Sequence, residues 1–376
     1  MDLSYNETQG MLRETLARFL ADTYDFESRK KMLASPEGRD PGIWKAIATE
    51  LGLTCAPFAE EHGGMGGGAI ENMIMMEEFG KVIAIEPWLQ TVVIGGGALK
   101  HAGGALAEAT IPAIISGDAI IAFAYAEPQG RYNLADIGTT AKADGAGYVL
   151  NGHKGVVYAA PWATHLLVTA RTGGGRRDRA GVELFLIEAN RPGITRRDYP
   201  TVDGFMASEV YFENVAIPGE ALLTGGIDLI ERVVDEATVA VCAEASGIAR
   251  TMVNSTVEYT KQRKQFGQPI GKFQVLQHRM SDMFVEAEQV SSMALMGTLK
   301  LDEAADVRKA AISMAKAKVG RSLKFVGQNA IQTHGGIGIT MELAIGHYFK
   351  RGTMIEGQFG SIDHHLDRFE ALAYPA

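Results

Sequence analysis

The spacing of apolar residues changes twice along this chain, and the change limits the folds that it can adopt. Up to about residue 118 the apolar residues recur every three or four positions, as Leu12, Leu16 and Leu20 do. Between residues 119 and 222 short alternating runs replace that pattern, and beyond residue 226 the helical spacing returns. The order predicts a multidomain α+β chain, with an N-terminal helical domain (1–118), a middle β domain (119–222) and a C-terminal helical domain (223–376).

Local signals define the ends of several elements. Ser4 and Glu7 have the spacing of a capping box and predict the start of the first helix. Long stretches without proline predict helices over residues 273–299 and 307–332, and residues 138–152 alternate like a hairpin. The glycine cluster at residues 63–68 lacks the lysine and hydroxyl ending of a phosphate loop, so we interpret it as a turn between helices.

Composition and charge exclude several classes of protein. The chain has 376 residues and a net charge of −9, which argues against nucleic acid as its partner. Its N-terminus does not resemble a secretory signal, and no apolar stretch has the length of a membrane span. Cys55 and Cys242 are the only cysteines. They predict no disulfide framework and favour a reducing cytoplasm, with both thiols as small apolar side chains.

Two short segments at helix-to-loop junctions carry the strongest chemical signal. The first, residues 263–267, contains Arg263 and Phe266, and the second, residues 332–336, contains Gln332, Gly335 and Gly336. An arginine fork matches the oxygens of a diphosphate, and glycines let the backbone approach a ligand closely. Each segment alone is also compatible with a solvated helix end or an ordinary turn.

Taken together, these segments resemble the flavin-contacting motifs of the acyl-CoA dehydrogenase family. The resemblance extends over nearly the whole chain and includes residues 51–53, 127–128, 151–154 and 213–215. It implies a middle β-barrel, a C-terminal four-helix bundle, and FAD as the cofactor. It also implies α,β-dehydrogenation of an acyl-CoA thioester with FAD as hydride acceptor, a homo- or hetero-oligomer (dimer or tetramer), and an electron-transferring flavoprotein as the physiological acceptor.

The resemblance assigns roles to particular residues. Arg263, followed by Phe266, corresponds to the position that meets the FAD diphosphate of a neighbouring subunit. Gln332 and the backbone of Gly335 and Gly336 correspond to the segment that faces the adenosine and diphosphate end. A fifth residue, Gln274, matches a position at the start of the flavin-binding helix.

The chain departs from the family pattern where the reaction would occur. Phe359 stands at the usual position of the catalytic glutamate, and the alternative base position on the preceding long helix is Ala237. Val156 and Tyr158 replace a tryptophan and a hydroxyl residue that contact the flavin ring. Residues 129–133 replace a stretch whose hydroxyl contacts the acyl-CoA. Phenylalanine and alanine cannot accept a proton.

Glu244 is the best candidate for a substitute base. It lies seven residues beyond Ala237, about two helical turns, and so shares an otherwise apolar face with it. A carboxylate on such a face is costly unless it is paired or functional. An ion pair inside the helical domain explains Glu244 equally well. Glu236 and Glu356 are weaker candidates.

A metal site is not expected. Residues 363–367 contain two adjacent histidines, but neighbouring side chains on a helix point about 100° apart and make poor co-ligands. The sequence therefore leaves three hypotheses. The chain is the base-lacking subunit of a heteromeric acyl-CoA dehydrogenase, similar to those of bacterial steroid degradation. Alternatively, it is a self-sufficient homo-oligomer that uses Glu244, or a flavin-binding scaffold without activity.

Overall fold

The computed structural model describes residues 4–374 and confirms the order helical, β, helical. Within these residues the α-helices are α1 (Glu7–Thr23), α2 (Phe26–Ala34), α3 (Pro41–Lys45), α4 (Ala69–Val82), α5 (Gly97–Ala102), α6 (Gly104–Ile115), α7 (Gly226–Gln262), α8 (Gln274–Leu299), α9 (Ala305–His334), α10 (Ala344–Gly357) and α11 (Ile362–Ala373).

The middle region is one eight-stranded sheet. Its strands are β1 (Ile121–Ala124), β2 (Thr140–Asp144), β3 (Gly147–Tyr158), β4 (His165–Arg171), β5 (Val182–Glu188), β6 (Ile194–Pro200), β7 (Met206–Pro218) and β8 (Leu222–Leu223). Their order is β6-β7-β3-β2-β4-β5-β8, and β1 pairs in parallel with β4. The predicted hairpin over 138–152 is confirmed as β2 and β3. The hydrogen-bonded path is open between β6 and β8, so a closed barrel is not what the described strands form.

The core of the sheet domain consists of alternating side chains from its long strands. Leu150, Val168, Phe185 and Val210 are fully buried, and each lies on a different strand. Because successive residues of a strand point to opposite faces, these positions collect on one side of the sheet. This packing holds the loops at the ends of the strands in place.

Two compact units account for the chain. One comprises Met1–Lys31, Ala69–Ala84 and Thr238–Ala376, of which residues 4–374 are described, and the other comprises Met32–Gly68 and Ile85–Ala237. In the first unit α9 packs against α8, α10 and α11. The second unit contains the sheet.

The start of α1 differs from the prediction. Asn6 is the capping residue. Its side chain accepts a hydrogen bond from the backbone N–H of Gln9, and the Gln9 side chain accepts one from the backbone N–H of Asn6. The capping box was therefore predicted correctly in kind but placed two residues too early, on Ser4 and Glu7. Asparagine caps as well as serine does, so both positions satisfied the rule.

Helices α4 and α7 approach each other through glycine. A Cβ atom added to Gly80 would lie 2.1 Å from the carbonyl oxygen of Glu244, and one added to Gly247 would lie 2.1 Å from that of Glu77. The two helix backbones are thus in direct contact along the segment of α7 that carries Glu244.

Candidate flavin site and the vacant base position

The segment that follows α7 is a tight hairpin. Strands β9 (Lys264–Gln265) and β10 (Gln268–Pro269) pair in antiparallel register around Phe266 and Gly267. Both turn residues have positive φ, 52° and 79°, as a two-residue hairpin of type I′ requires. Arg263 is exposed at the base of the hairpin, and the Phe266 side chain is 91% exposed at its tip. This turn therefore exposes a cation and an aromatic ring that are available to bind a ligand or another protein chain.

The second predicted segment ends α9. Gln332 is exposed in the last turn, and Gly335 follows the helix with φ of 67°, a conformation that favours glycine. A Cβ atom added to Gly335 or to Gly336 would meet no other atom within 4 Å. The backbone at both glycines is consequently open to close approach by a ligand.

Tyr259 connects these two segments. It lies four residues before Arg263, and its hydroxyl donates to the carbonyl oxygen of His334 at 3.2 Å. The two rings stack, with centroids 4.3 Å apart. Burial lowers the pKa of His334, so its ring favours the neutral form. This contact joins the end of α7, just before Arg263, to the end of α9, just before Gly335.

Gln274 is the first residue of α8 and is exposed. The capping position of this helix is Phe273, whose side chain cannot accept a hydrogen bond. The first-turn N–H groups of α8 are therefore not capped by the side chain of that residue. Together the predicted residues provide one cation, two side-chain amides and unobstructed backbone, from Arg263, Gln274, Gln332, Gly335 and Gly336. Such groups suit a diphosphate or an adenosine. These residues therefore fit the nucleotide end of FAD.

Phe359, which the resemblance assigns to the usual base position, is a buried phenylalanine in a strained conformation. Phe359 has φ of 60° and Gly360 has φ of 128°. A positive φ is uncommon for a residue that is not glycine, and such strain concentrates at functional sites. The backbone thus keeps a special conformation here, although the side chain cannot accept a proton.

A buried lysine holds this loop. The ammonium group of Lys316 on α9 donates to the carbonyl oxygens of Glu356, at 2.9 Å, and Gly360, at 2.7 Å. Burial lowers the pKa of Lys316 to about 8, while Cys242 and Glu356 oppose the shift. Lys316 thereby fixes the loop on both sides of Phe359.

Glu244, the candidate substitute base, forms a buried ion pair. Arg351 donates from Nε to one carboxylate oxygen at 2.6 Å and from an Nη nitrogen to the other at 2.7 Å. The two side chains are 3% and 2% exposed. Both carboxylate oxygens are thus engaged by one guanidinium, which corresponds to the ion-pair alternative that the sequence left open.

The two weaker candidates are also engaged. Glu236 interacts with the His101 ring at 2.7 Å and accepts from Arg232 at 2.9 Å. Burial alone would raise the pKa of Glu236, but His101, Lys100 and Arg232 together outweigh burial, and the pKa is lowered. Glu356 accepts from the backbone N–H of Ile362 at 2.9 Å. Ala237 is buried and apolar, as its sequence implies.

Val156 and Tyr158, the two residues of β3 that differ from the family pattern, lie at an irregular part of the strand. The pairing of β3 with β7 shifts register between Lys154 and Val157, and Val156 within that shift has φ of 51°. Val156 is exposed, and Tyr158 is half-buried with its ring edge-on to Phe205. The bulge is thus present while the side chains on it differ from those of the family pattern.

His365 provides a pH-dependent test of this region. Burial lowers its pKa to about 2 from an ordinary value of 6.5, and the charge of Lys316 contributes. Below pH 6.5 the unfolded chain binds a proton that the folded chain refuses, so stability falls as the pH falls, by about 1.4 kcal/mol per pH unit. We expect urea unfolding of His365→Gln to depend less steeply on pH below 6.5 than that of the wild type. If the unfolding free energies of the variant and the wild type changed equally with pH below 6.5, His365 would not have a lowered pKa in the folded protein.

The described part of the chain shows neither a cluster of metal ligands nor a membrane-spanning helix. Residues 4–374 contain no group of three or more His, Cys, Asp or Glu that could hold a metal. The rings of His364 and His365 meet edge to face, 5.2 Å apart. Among the same residues, no helix is both long enough and apolar enough to cross a membrane.

The fold and this site define an FAD-dependent acyl-CoA dehydrogenase, an oxidoreductase that acts on the CH–CH bond of an acyl-CoA. The chain belongs to the acyl-CoA dehydrogenase family: it matches the N-terminal domain over residues 6–118, the middle domain over 122–215 and the C-terminal domain over 224–368. When bound, FAD supplies the hydride acceptor for the dehydrogenation.

Three similar proteins illustrate the range of the family. The probable acyl-CoA dehydrogenase YngJ of Bacillus subtilis is 30% identical over 316 residues, which cover 82% of this chain and 83% of that protein. The structure of a variant of the Tcur3481–Tcur3483 steroid ACAD is 28% identical with a TM-score of 0.88. The structure of PigA with FAD and proline is 26% identical with a TM-score of 0.89. Each alignment with these two structures covers 98% of both chains.

Sequence reasoning missed two residues of this region. Tyr259 was not singled out, because one tyrosine on a helix carries no spacing signal. Arg351 was not singled out either, although it is a buried cation on α10. A buried charge needs a partner, and Glu244 was the carboxylate on the apolar face of α7. The two observations together could have predicted the ion pair.

Proposed function

We propose that this chain is the base-lacking subunit of a heteromeric acyl-CoA dehydrogenase. One observation supports this above the others: Phe359 and Ala237 occupy the base positions, and Glu244, the best substitute, is clamped by Arg351 through both oxygens. A carboxylate held in this way would have to break a buried ion pair before it could take a proton. The solved steroid ACAD is named for two chains, which supports a pairing of unlike subunits.

In this proposal the chain contributes contacts to a cofactor shared with its partner. Arg263, Gln274, Gln332, Gly335 and Gly336 would hold the nucleotide end of FAD, and Phe266 would pack beside it. The partner would supply the carboxylate that removes the α-proton. We further propose that helices α7–α10 form the four-helix bundle implied by the resemblance, that the complex is a dimer or tetramer of chains, that it works in the cytoplasm, and that an electron-transferring flavoprotein reoxidises it.

The test is an anaerobic titration of the purified, FAD-reconstituted chain with a panel of acyl-CoA thioesters, including steroid-sized ones. We expect no bleaching of the oxidised flavin band by the chain alone, because no free carboxylate stands at a base position. Co-expression with the partner chain, found by affinity capture from the native cell, should restore bleaching.

The control is the restored complex with Arg263→Gln in this chain. We expect weaker retention of FAD, measured by fluorescence after gel filtration, while folding of the chain by circular dichroism is unchanged. Bleaching by the chain alone would refute the proposal and favour the self-sufficient enzyme. Flavin retention without bleaching, even with the partner supplied, would favour a scaffold without activity.

A further inference from the structure

One tyrosine is hydrogen-bonded to both of the segments that were predicted to contact a nucleotide. The backbone carbonyl oxygen of Tyr259, in the last turn of α7, accepts from the N–H of Arg263 at 2.9 Å. The Tyr259 hydroxyl donates to the carbonyl oxygen of His334, the last residue of α9, at 3.2 Å. Tyr259 is therefore bonded to the residue that begins the segment 263–267 and to a residue inside the segment 332–336.

Several contacts fix the ring of His334. It stacks on the Tyr259 ring, with the two planes 28° apart. Its Nδ1 lies 2.8 Å from the carbonyl oxygen of Ala330, one turn earlier in α9. The turn that follows the helix folds back so closely that a Cβ atom on Gly338 would lie 3.0 Å from the His334 Cβ. His334 is buried, so its ring cannot turn without displacing these neighbours.

The groups that would contact a nucleotide lie next to this pair and are open to solvent. Arg263 and Gln332 are exposed, and the space beside the backbone of Gly335 is empty. If the two segments moved independently, a ligand that contacts both would have to order them when it binds, which lowers its affinity. A contact that fixes their separation in the unbound protein removes part of that cost.

We propose that Tyr259 and His334 are positioning residues, which set the separation between Arg263 and the backbone of Gly335 before the nucleotide end of FAD binds. The proposal rests on the proposed function, because it takes these two segments as the nucleotide site. The Tyr259 hydroxyl and the His334 Nδ1 are both engaged with backbone carbonyl oxygens. The pair therefore acts through the segments that it holds, and does not itself contact the cofactor.

Calorimetric titration of the full-length protein with ADP, which contains the adenosine and diphosphate of FAD, tests the positioning role. Tyr259→Phe removes the hydroxyl bond and keeps the stacked ring, and should weaken ADP binding about fivefold. His334→Ala should weaken it about tenfold, and His334→Phe, which keeps a ring that can stack, should recover part of the loss. Tyr348→Phe is the matched control, because the Tyr348 hydroxyl also donates to a backbone carbonyl oxygen, that of Lys81, at 2.6 Å. This control should lower stability without changing ADP binding.

A second measurement separates positioning from a general loss of stability. The separation of the segments matters only while both of them contact the ligand. In the Arg263→Gln background, adding Tyr259→Phe should therefore weaken ADP binding by less than about twofold further. An effect of Tyr259 on stability alone would instead add in full to that of Arg263→Gln.

The possible failures are distinguishable. If the wild type does not bind ADP, the two segments are not the nucleotide site, and both that assignment and the positioning role are refuted. If the wild type binds ADP and Tyr259→Phe or His334→Ala binds it equally well, the positioning role alone is refuted. The same holds if Tyr259→Phe weakens binding equally with and without Arg263. None of these results depends on flavin bleaching, so the base-lacking role is tested separately.

Discussion

Replacing either partner of the Glu244–Arg351 pair should lower the free energy of unfolding by about 3–5 kcal/mol, because the remaining group is left buried without its counter-charge. Glu244→Gln preserves shape and removes the charge, and Arg351→Met preserves length. The double variant should cost clearly less than the sum of the two, since it leaves no isolated charge. Urea unfolding followed by circular dichroism measures all three.

An exposed pair provides the comparison. Lys261 and Glu258 lie 2.6 Å apart with both side chains more than half exposed, and Glu258→Gln should change stability by less than about 1 kcal/mol. If Glu244 were instead a catalytic base, Glu244→Gln would abolish flavin bleaching with little loss of stability. The two roles of Glu244 therefore predict opposite patterns in two separate measurements.

The order of the domains could be predicted because it depends on periodicity that persists over many residues. The hairpin at residues 138–152 and the helices at 273–299 and 307–332 were predicted and are confirmed as β2 with β3, α8 and α9. Strand β6 was missed. Its residues are exposed or only half-buried, and it lies at the edge of the sheet beside β7 alone. An edge strand that carries charges has no alternation to detect.

The nucleotide-binding segments of the candidate site could be predicted from the sequence, whereas the ion pair at Glu244 could not. Glycine and arginine motifs identified the segments around Arg263 and Gly335, since such residues act through local backbone and charge. The partner of Glu244 could not be predicted from local pattern, because Arg351 lies 107 residues further along the chain. Long-range pairing is decided by packing, which the spacing of residues on one helix does not encode.

The second large effect concerns the contact between α4 and α7. Alanine is favoured over glycine by about 1 kcal/mol within a helix, so local propensity alone predicts that Gly80→Ala and Gly247→Ala stabilise the protein. Each new Cβ, however, would lie 2.1 Å from a backbone carbonyl oxygen, and backbone cannot rotate away as a side chain can. We expect each variant to lose about 3 kcal/mol or more in urea unfolding as the helices separate.

Gly10→Ala is the matched control, since Gly10 lies inside α1 and a Cβ there would meet nothing within 4 Å. This variant should be as stable as the wild type or more stable, by up to about 1 kcal/mol. Stabilisation by all three alanines would show that α4 and α7 do not touch in solution. If the variants at Gly80 and Gly247 lose stability and the variant at Gly10 does not, the backbone of Glu244 is held by α4. Its carboxylate, held by Arg351, would then be fixed at both ends, as a structural residue and not a mobile base.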